Sequence, residues 1–222
     1  MSQRPSYAWL MSSKSPLVQC LIVVDMQKAF VEGAGASPQM PRVLPAVRQQ
    51  VAAARAAGVL VVYLQNDGSP GSSDEPGTSG WELALEPMPT ETVVRKSEDS
   101  GFVGTQLQQL LQHRQITALS VCGVMSEMCV AATARDAMQR GYEVVLAHDS
   151  HGTYRVPPYA PGEPEVCAEH AARAAEWSLG DTVLIPPLGA AIRFAGRDET
   201  GEAAPTNTAC ADANHPTGQR LP

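Results

Sequence analysis

The residues A-L-S-V-C-G-V-M-S-E-M-C-V, numbers 118–130, run directly into A-A-T-A-R-D-A-M-Q-R-G, numbers 131–141. The first half is an apolar run that reaches Gly123. The second half carries Val130, Thr133, Ala134 and Ala137 on one helical face and stops at Gly141. The stretch therefore predicts a buried strand that turns into a helix, with Cys129 where the helix begins. A strand that is apolar throughout, followed at once by a helix, is the repeating unit of a parallel sheet covered on both faces.

Working outward, the same unit recurs. Apolar runs at 17–25 (L-V-Q-C-L-I-V-V-D), 59–65 (V-L-V-V-Y-L-Q), 116–123 and 142–149 (Y-E-V-V-L-A-H-D) predict strands. A shorter run, E-T-V-V-R-K at 91–96, and a weaker one, T-V-L-I-P at 182–186, complete six. Helical patterns at 44–57, 105–113, 129–140 and 164–179 lie between them, three ending at Gly58, Gly141 and Gly180. The expectation is an α/β fold of three αβα layers around a doubly wound, six-stranded parallel sheet. One domain is expected over 17–196, after an N-terminal extension at 1–16 and before a polar, disordered tail at 197–222. Residues 66–89 are rich in Gly, Ser and Pro and too long for a simple connector, which predicts a functional loop.

Composition narrows the class. The chain has 222 residues, 44% of them hydrophobic, and a formal net charge of −7, which suits one sizeable core. No Lys/Arg cluster is present, so nucleic acid and anionic membranes are not expected partners. No run of about 18 apolar residues suggests a membrane span. The first residues lack the pattern of a secretory signal, so a cytoplasmic protein is expected. Five cysteines without a C-x-x-C argue against a disulfide framework or zinc knuckle. No G-x-G-x-x-G follows the first strand, which disfavours a dinucleotide cofactor.

In such sheets ligands bind beyond the carboxyl ends of the strands. Asp25, Lys96 and Cys129 all fall there. A helix N-terminus and a nearby ammonium would both favour thiolate at Cys129. Lys96 would supply the charge, Asp25 would take the thiol proton, and backbone N–H groups at the turn would receive an oxyanion. Each residue also has an ordinary reading: a structural cysteine, a turn aspartate, a solvated lysine. Spacing alone does not decide, because the three lie far apart in the chain.

These segments resemble the isochorismatase-like cysteine hydrolase family. The matching runs are L-I-V-V-D-M-Q-K-A-F with Asp25, V-V-R-K-S-E-D-S-G-F-V-G-T-Q-L with Lys96, and V-C-G-V-M-S-E-M-C-V-A-A-T-A-R-D-A with Cys129. G-Y-E-V-V-L-A-H-D-S and E-H-A-A match as well. The resemblance covers residues 17–190. It implies a six-stranded parallel sheet and an Asp25–Lys96–Cys129 triad. It also implies a cis peptide at Val124–Met125, with the N–H groups of Met125 and Cys129 as oxyanion hole. Nicotinamidase-like members carry a metal-binding Asp-x-His and a further His after the second strand. Residues 65–81 here contain no histidine, so no metal and no other cofactor are expected. Members acting on isochorismate lack the nucleophilic cysteine, so Cys129 points to C–N cleavage instead. Q-N-D-G, E-P-G-T-S-G-W-E-L, S-E-M-C-V and A-E-W-S-L-G-D resemble the streptothricin hydrolase-like branch, which opens a lactam amide.

Other residues are candidates with alternatives. Gln27 and Phe30 would line the pocket or begin a helix. Trp81 would cap a substrate or anchor its loop. His148, Asp149 and His151 resemble a metal set without a third convincing ligand, Asp149 being a strand-end residue in the family. His151 and Tyr154 are candidates for substrate contact. His170 reads as structural, and Cys122, inside a strand, as inert. The expected activity is a hydrolase cleaving an amide, lactam or ureido C–N bond of a small molecule through a thioester on Cys129, in a homo-oligomer (dimer or tetramer). The rivals are a vinyl-ether hydrolase of the isochorismate type and a non-catalytic thiol sensor or binding protein.

Overall fold

The structure is a computed structural model that describes residues 16–195. The expected extension at 1–16, Pro16 apart, and the expected tail at 197–222 lie outside the described residues. Six strands form one parallel sheet: β1 (Cys20–Val24), β2 (Leu60–Asn66), β3 (Thr92–Lys96), β4 (Ala118–Val124), β5 (Glu143–Val145) and β6 (His151–Gly152). Their order is β3-β2-β1-β4-β5, with β6 beside the far end of β4. The order reverses between β1 and β4. That switch point opens a crevice at the carboxyl ends, the place such sheets offer to ligands.

The continuous apolar runs are explained by burial on both faces. Alternate residues of β1 face opposite layers. Leu21 and Val23 join Val61, Tyr63 and Cys122 against α2 (Met40–Ala56), through its Val43, Val47, Val51 and Ala54. Cys20, Ile22 and Val24 join Val62, Leu119 and Val121 against α3 (Leu107–His113) and α4 (Ala131–Gln139), through Leu107, Leu111, Ala134 and Ala137. A short α1 (Lys28–Val31) follows β1, and α5 (Ala168–Ser178) closes the described chain's last helical layer.

The elements differ from expectation in identifiable ways. Helix α2 starts at Met40, ahead of the expected 44, because Pro41 is tolerated in its first turn and Pro45 lies one turn further in. The run at 182–186 does not form a strand. Leu184 makes a single bridge to Val145, and although the Pro186 carbonyl accepts from His148, Pro186 and Pro187 have no N–H with which to extend the ladder. The sixth strand is instead the short β6, which lies just beyond the run read at 142–149. Helix α4 begins at Ala131. Before it, Ser126–Val130 form a turn of π-helix broken at Met128 (φ −105°, ψ −107°).

Candidate active site

Three strand ends converge at the crevice. Asp25 follows β1, and its N–H still bonds the Leu64 carbonyl at 3.0 Å. It then turns with φ 48°, a left-handed conformation that Asp accepts better than most residues. Lys96 is the last residue of β3, opposite Asn66 of β2. Cys129 lies in the π turn after β4. Gly123 lets β4 approach β1 this closely: its φ is 118°, and a Cβ there would lie 2.1 Å from the Val24 carbonyl oxygen.

The geometry centres on Lys96. Its Nζ lies 2.9 Å from Asp25 Oδ2 and 3.3 Å from Cys129 Sγ. It also donates to Asn66 Oδ1 at 3.3 Å and to the Glu98 carbonyl at 3.2 Å. Asp25 and Lys96 are almost wholly buried, at 2% and 3% exposure, whereas Cys129 is half-buried. Asp25 Oδ1 is buried without a hydrogen-bond partner. Buried carboxylates ordinarily satisfy both oxygens, so this oxygen is an exception, and the Asp25 carboxyl interacts with the Cys129 thiol nearby. The Val124–Met125 peptide is cis.

Charge states follow from burial first. Burial raises Asp25 above the usual carboxylate range, although the Lys96 ammonium opposes it. Burial would lower Lys96, but Asp25 and Cys129 outweigh it, so the ammonium persists. Burial pushes the Cys129 thiol up to about 12, the Asp25 charge adding to the push and Lys96 opposing it. This corrects the expected lowering of the thiol. At the turn, desolvation and a neighbouring carboxylate outweigh the ammonium. The resting site is a thiol beside a carboxylate of enhanced basicity, with an ammonium touching both.

The remaining candidates fall in two groups. Phe30 and Met125 are half-buried at the edge of the core on the α2 side and keep exposed surface. Gln27 is fully buried, and its amide is engaged by the chain itself. It donates to the Asn66 and Trp81 carbonyls and accepts from the Asn66 N–H. It holds the loop to β1 and has no group left for a ligand. Trp81 is anchored as well. Its indole donates to Asp67, Arg95 lies 5.0 Å over its ring, and its carbonyl takes Gln27 and Gln65. Tyr154 donates its hydroxyl to the Gly35 carbonyl. His151 is fully buried between Ser126 and Glu176 and does not reach the crevice, contrary to the expected substrate contact. His148 is exposed and turns onto the same Glu176. Asp149 accepts from the Gly189 N–H, a strand-end role. His170 lies exposed on α5. Cys122 is buried, which raises its thiol.

Two neighbours of the site escaped the sequence. Asn66 orients Lys96, and in turn donates to Asp74 Oδ2 at 2.7 Å. Its signal is the strand register alone, since nothing local distinguishes it. Asp99, exposed, places Oδ1 3.8 Å from Cys129 Sγ, and lies in the S-E-D-S segment just beyond Lys96.

Comparison with known proteins identifies the family. The isochorismatase domain family matches residues 19–160. A streptothricin hydrolase of Streptomyces noursei is 58% identical over 181 residues, covering 80% of this chain and 71% of that protein. A ureidoacrylate amidohydrolase of Azorhizobium caulinodans is 31% identical over 174 residues, covering 59% of this chain and 74% of the relative. Among solved structures, a cysteine hydrolase from Pseudomonas syringae pv. phaseolicola 1448A superposes with a TM-score of 0.70 at 27% identity, covering 79% of this chain and 94% of that one. The chain belongs to the isochorismatase family, among its amide-cleaving cysteine hydrolases.

Proposed function

We propose that this chain hydrolyses a lactam amide of a streptothricin-type compound through a thioester on Cys129. The observation that carries the reading is the contact set of Lys96, 2.9 Å from Asp25 and 3.3 Å from Cys129, beside the unpartnered Asp25 Oδ1. The similarity to streptothricin hydrolase supports the substrate class.

In the first half-reaction Asp25 takes the thiol proton as Sγ attacks the carbonyl carbon. A carboxylate raised by burial is a better base for this transfer than an ordinary one. The carbonyl oxygen becomes an oxyanion, for which the N–H groups of Met125 and Cys129 are the donors. Lys96 keeps its charge and balances the sulfur as the proton leaves. The tetrahedral centre collapses, the C–N bond breaks, and the nitrogen takes the proton from Asp25. In the second half Asp25 removes a proton from water, which attacks the thioester. Sulfur departs and recovers its proton from Asp25. The sum is amide plus water giving acid plus amine.

Phe30 and Met125 supply apolar surface at the mouth, and Asp99 an acidic one. Exposed Tyr159 and Leu188 support a homo-oligomer of this single domain, working in the cytoplasm where its thiols stay reduced. The test is a substrate panel of a streptothricin, simple lactams, ureido compounds and linear amides, each with wild-type protein and Cys129→Ala. The expected result is turnover of the lactam, reduced at least about a thousandfold in the variant. Full activity of Cys129→Ala removes the covalent mechanism, and turnover confined to ureido compounds removes the substrate class.

A further inference from the structure

A second chain of polar side chains lies behind the nucleophile turn, away from the crevice. Ser126 opens the turn, and its Oγ lies 2.8 Å from His151 Nδ1. His151 Nε2 lies 3.0 Å from Glu176 Oε1. His148 Nδ1 meets the same oxygen, and Arg173 donates to Oε2 at 2.7 Å. Ser126, His151 and Glu176 are each at most 2% exposed. Three buried polar side chains from three elements are costly to bring together unless each bond is made.

The protons can be assigned from the chain of bonds. Burial would raise Glu176, but hydrogen bonds from His148 and His151 hold its carboxylate well below the usual range. Burial keeps His151 below its ordinary value despite Glu176, so the imidazole is neutral. Facing a carboxylate, Nε2 carries the single ring proton, which leaves Nδ1 to accept the Ser126 hydroxyl. The bonds thus run one way, from Ser126 to His151 to Glu176. A second tie lies alongside: Thr153 donates to Glu127 Oε1 at 2.7 Å, and its N–H is held by Gln39 Oε1 at 2.8 Å. Arg42 of α2 grips the carbonyls of His148 and His151. The first two residues of the turn are therefore fastened to β6 and the segment after it, and through them to α2 and α5.

We infer that Ser126, His151 and Glu176 are positioning residues that fix the nucleophile turn so that Cys129 Sγ meets Lys96 and Asp25. None of the three touches the crevice. Their effect is exerted on the sulfur, three residues along the turn from Ser126. The inference rests on Cys129 being the nucleophile. Its test reads the chemistry of the sulfur and not turnover, so an error in the lactam assignment does not disturb it.

The experiment is alkylation of the full-length protein by iodoacetamide at fixed pH. Peptide mass spectrometry follows Cys129 and Cys167 in the same sample. Ser126→Ala and His151→Gln both remove the bond to the turn. The expected result is alkylation of Cys129 slowed about tenfold in each, with Cys167 unchanged. His151→Asn places its Oδ1 near the position of Nδ1 and is expected to recover part of the lost rate, as a bulk role for the ring would not. A Cys129 rate in Ser126→Ala within about twofold of wild type overturns the inference. So does an equal change at Cys167, or a rate in His151→Asn no better than in His151→Gln.

Discussion

At the scale of the residue, the site depends on a buried ion pair that also touches sulfur. Removing one member of such a pair leaves an uncompensated buried charge, costing about 3–5 kcal/mol. Lys96→Met should therefore destabilise the protein strongly in thermal denaturation. Lys96→Met combined with Asp25→Asn should recover much of the loss, because both charges then leave together. A double variant as unstable as the sum of the singles would show that the pair is not coupled. The raised carboxylate makes a separate prediction for catalysis. Asp25 must be ionised to take the thiol proton, and burial raises it from its ordinary 3.8. Activity should rise with pH along an acid limb whose midpoint in kcat/KM lies above about pH 4. A midpoint at or below that value would mean that another group is the base. The identity of the three residues was legible from their strand-end positions and from family resemblance. The protonation state of Cys129 was not. Helix end and ammonium are visible in a sequence, whereas the depth to which a side chain is buried is not.

At the scale of the element, the strands were the most legible part, because burial on both faces writes itself as continuous apolar runs. The two short edge pieces were not. A two-residue strand such as β6 carries no pattern, and the run at 182–186 looked like a strand although two prolines follow its pairing residue. The turn at Ser126–Val130 was also hidden, since its side chains continue the helical spacing of α4 while its backbone does not. Gly123 shows how tightly β4 and β1 approach. With φ 118° and no room for a Cβ beside the Val24 carbonyl, Gly123→Ala should cost about 3 kcal/mol or more. It should lower the melting temperature and move the nucleophile turn. A variant with wild-type stability would contradict the close approach. Gln27 and Trp81 belong to this scale as well. Their hydrogen bonds hold the 66–81 loop against β1 and β2, and the Gln27 amide is committed to that task.

At the scale of the molecule, sheet order places the site. A reversal between β1 and β4 opens the crevice where Asp25 and Cys129 emerge, and Lys96 reaches in across the end of β2. None of this convergence is local, so a single sequence shows the three residues but not their distances. The buried network behind the turn has a consequence for whole-protein stability. His151 is held below its ordinary 6.5, and Glu176 below its ordinary 4.5. In both cases the unfolded chain binds protons that the folded protein refuses as pH falls. Their contributions are present above those ordinary values and are lost below them, through pH 6.5 for His151 and pH 4.5 for Glu176. Asp25, raised by burial, acts with the opposite sign. Calorimetric melting temperatures should therefore fall as pH drops below 6.5, and the further fall below pH 4.5 should be less steep in Glu176→Gln. Parallel pH profiles for wild type and variant would show that Glu176 is not a source of the dependence.

The central claim is a covalent bond between Cys129 and the substrate's carbonyl carbon. It is tested most directly by rapid acid quench of the protein with a streptothricin, followed by mass spectrometry of the peptide that contains Cys129. Because opening a lactam leaves the amine tethered to the acyl group, the account predicts an adduct of the full substrate mass on Cys129. That adduct should disappear on longer incubation and be absent from Cys129→Ala. Turnover without any adduct at Cys129 under single-turnover conditions, or an adduct at another residue, would contradict it.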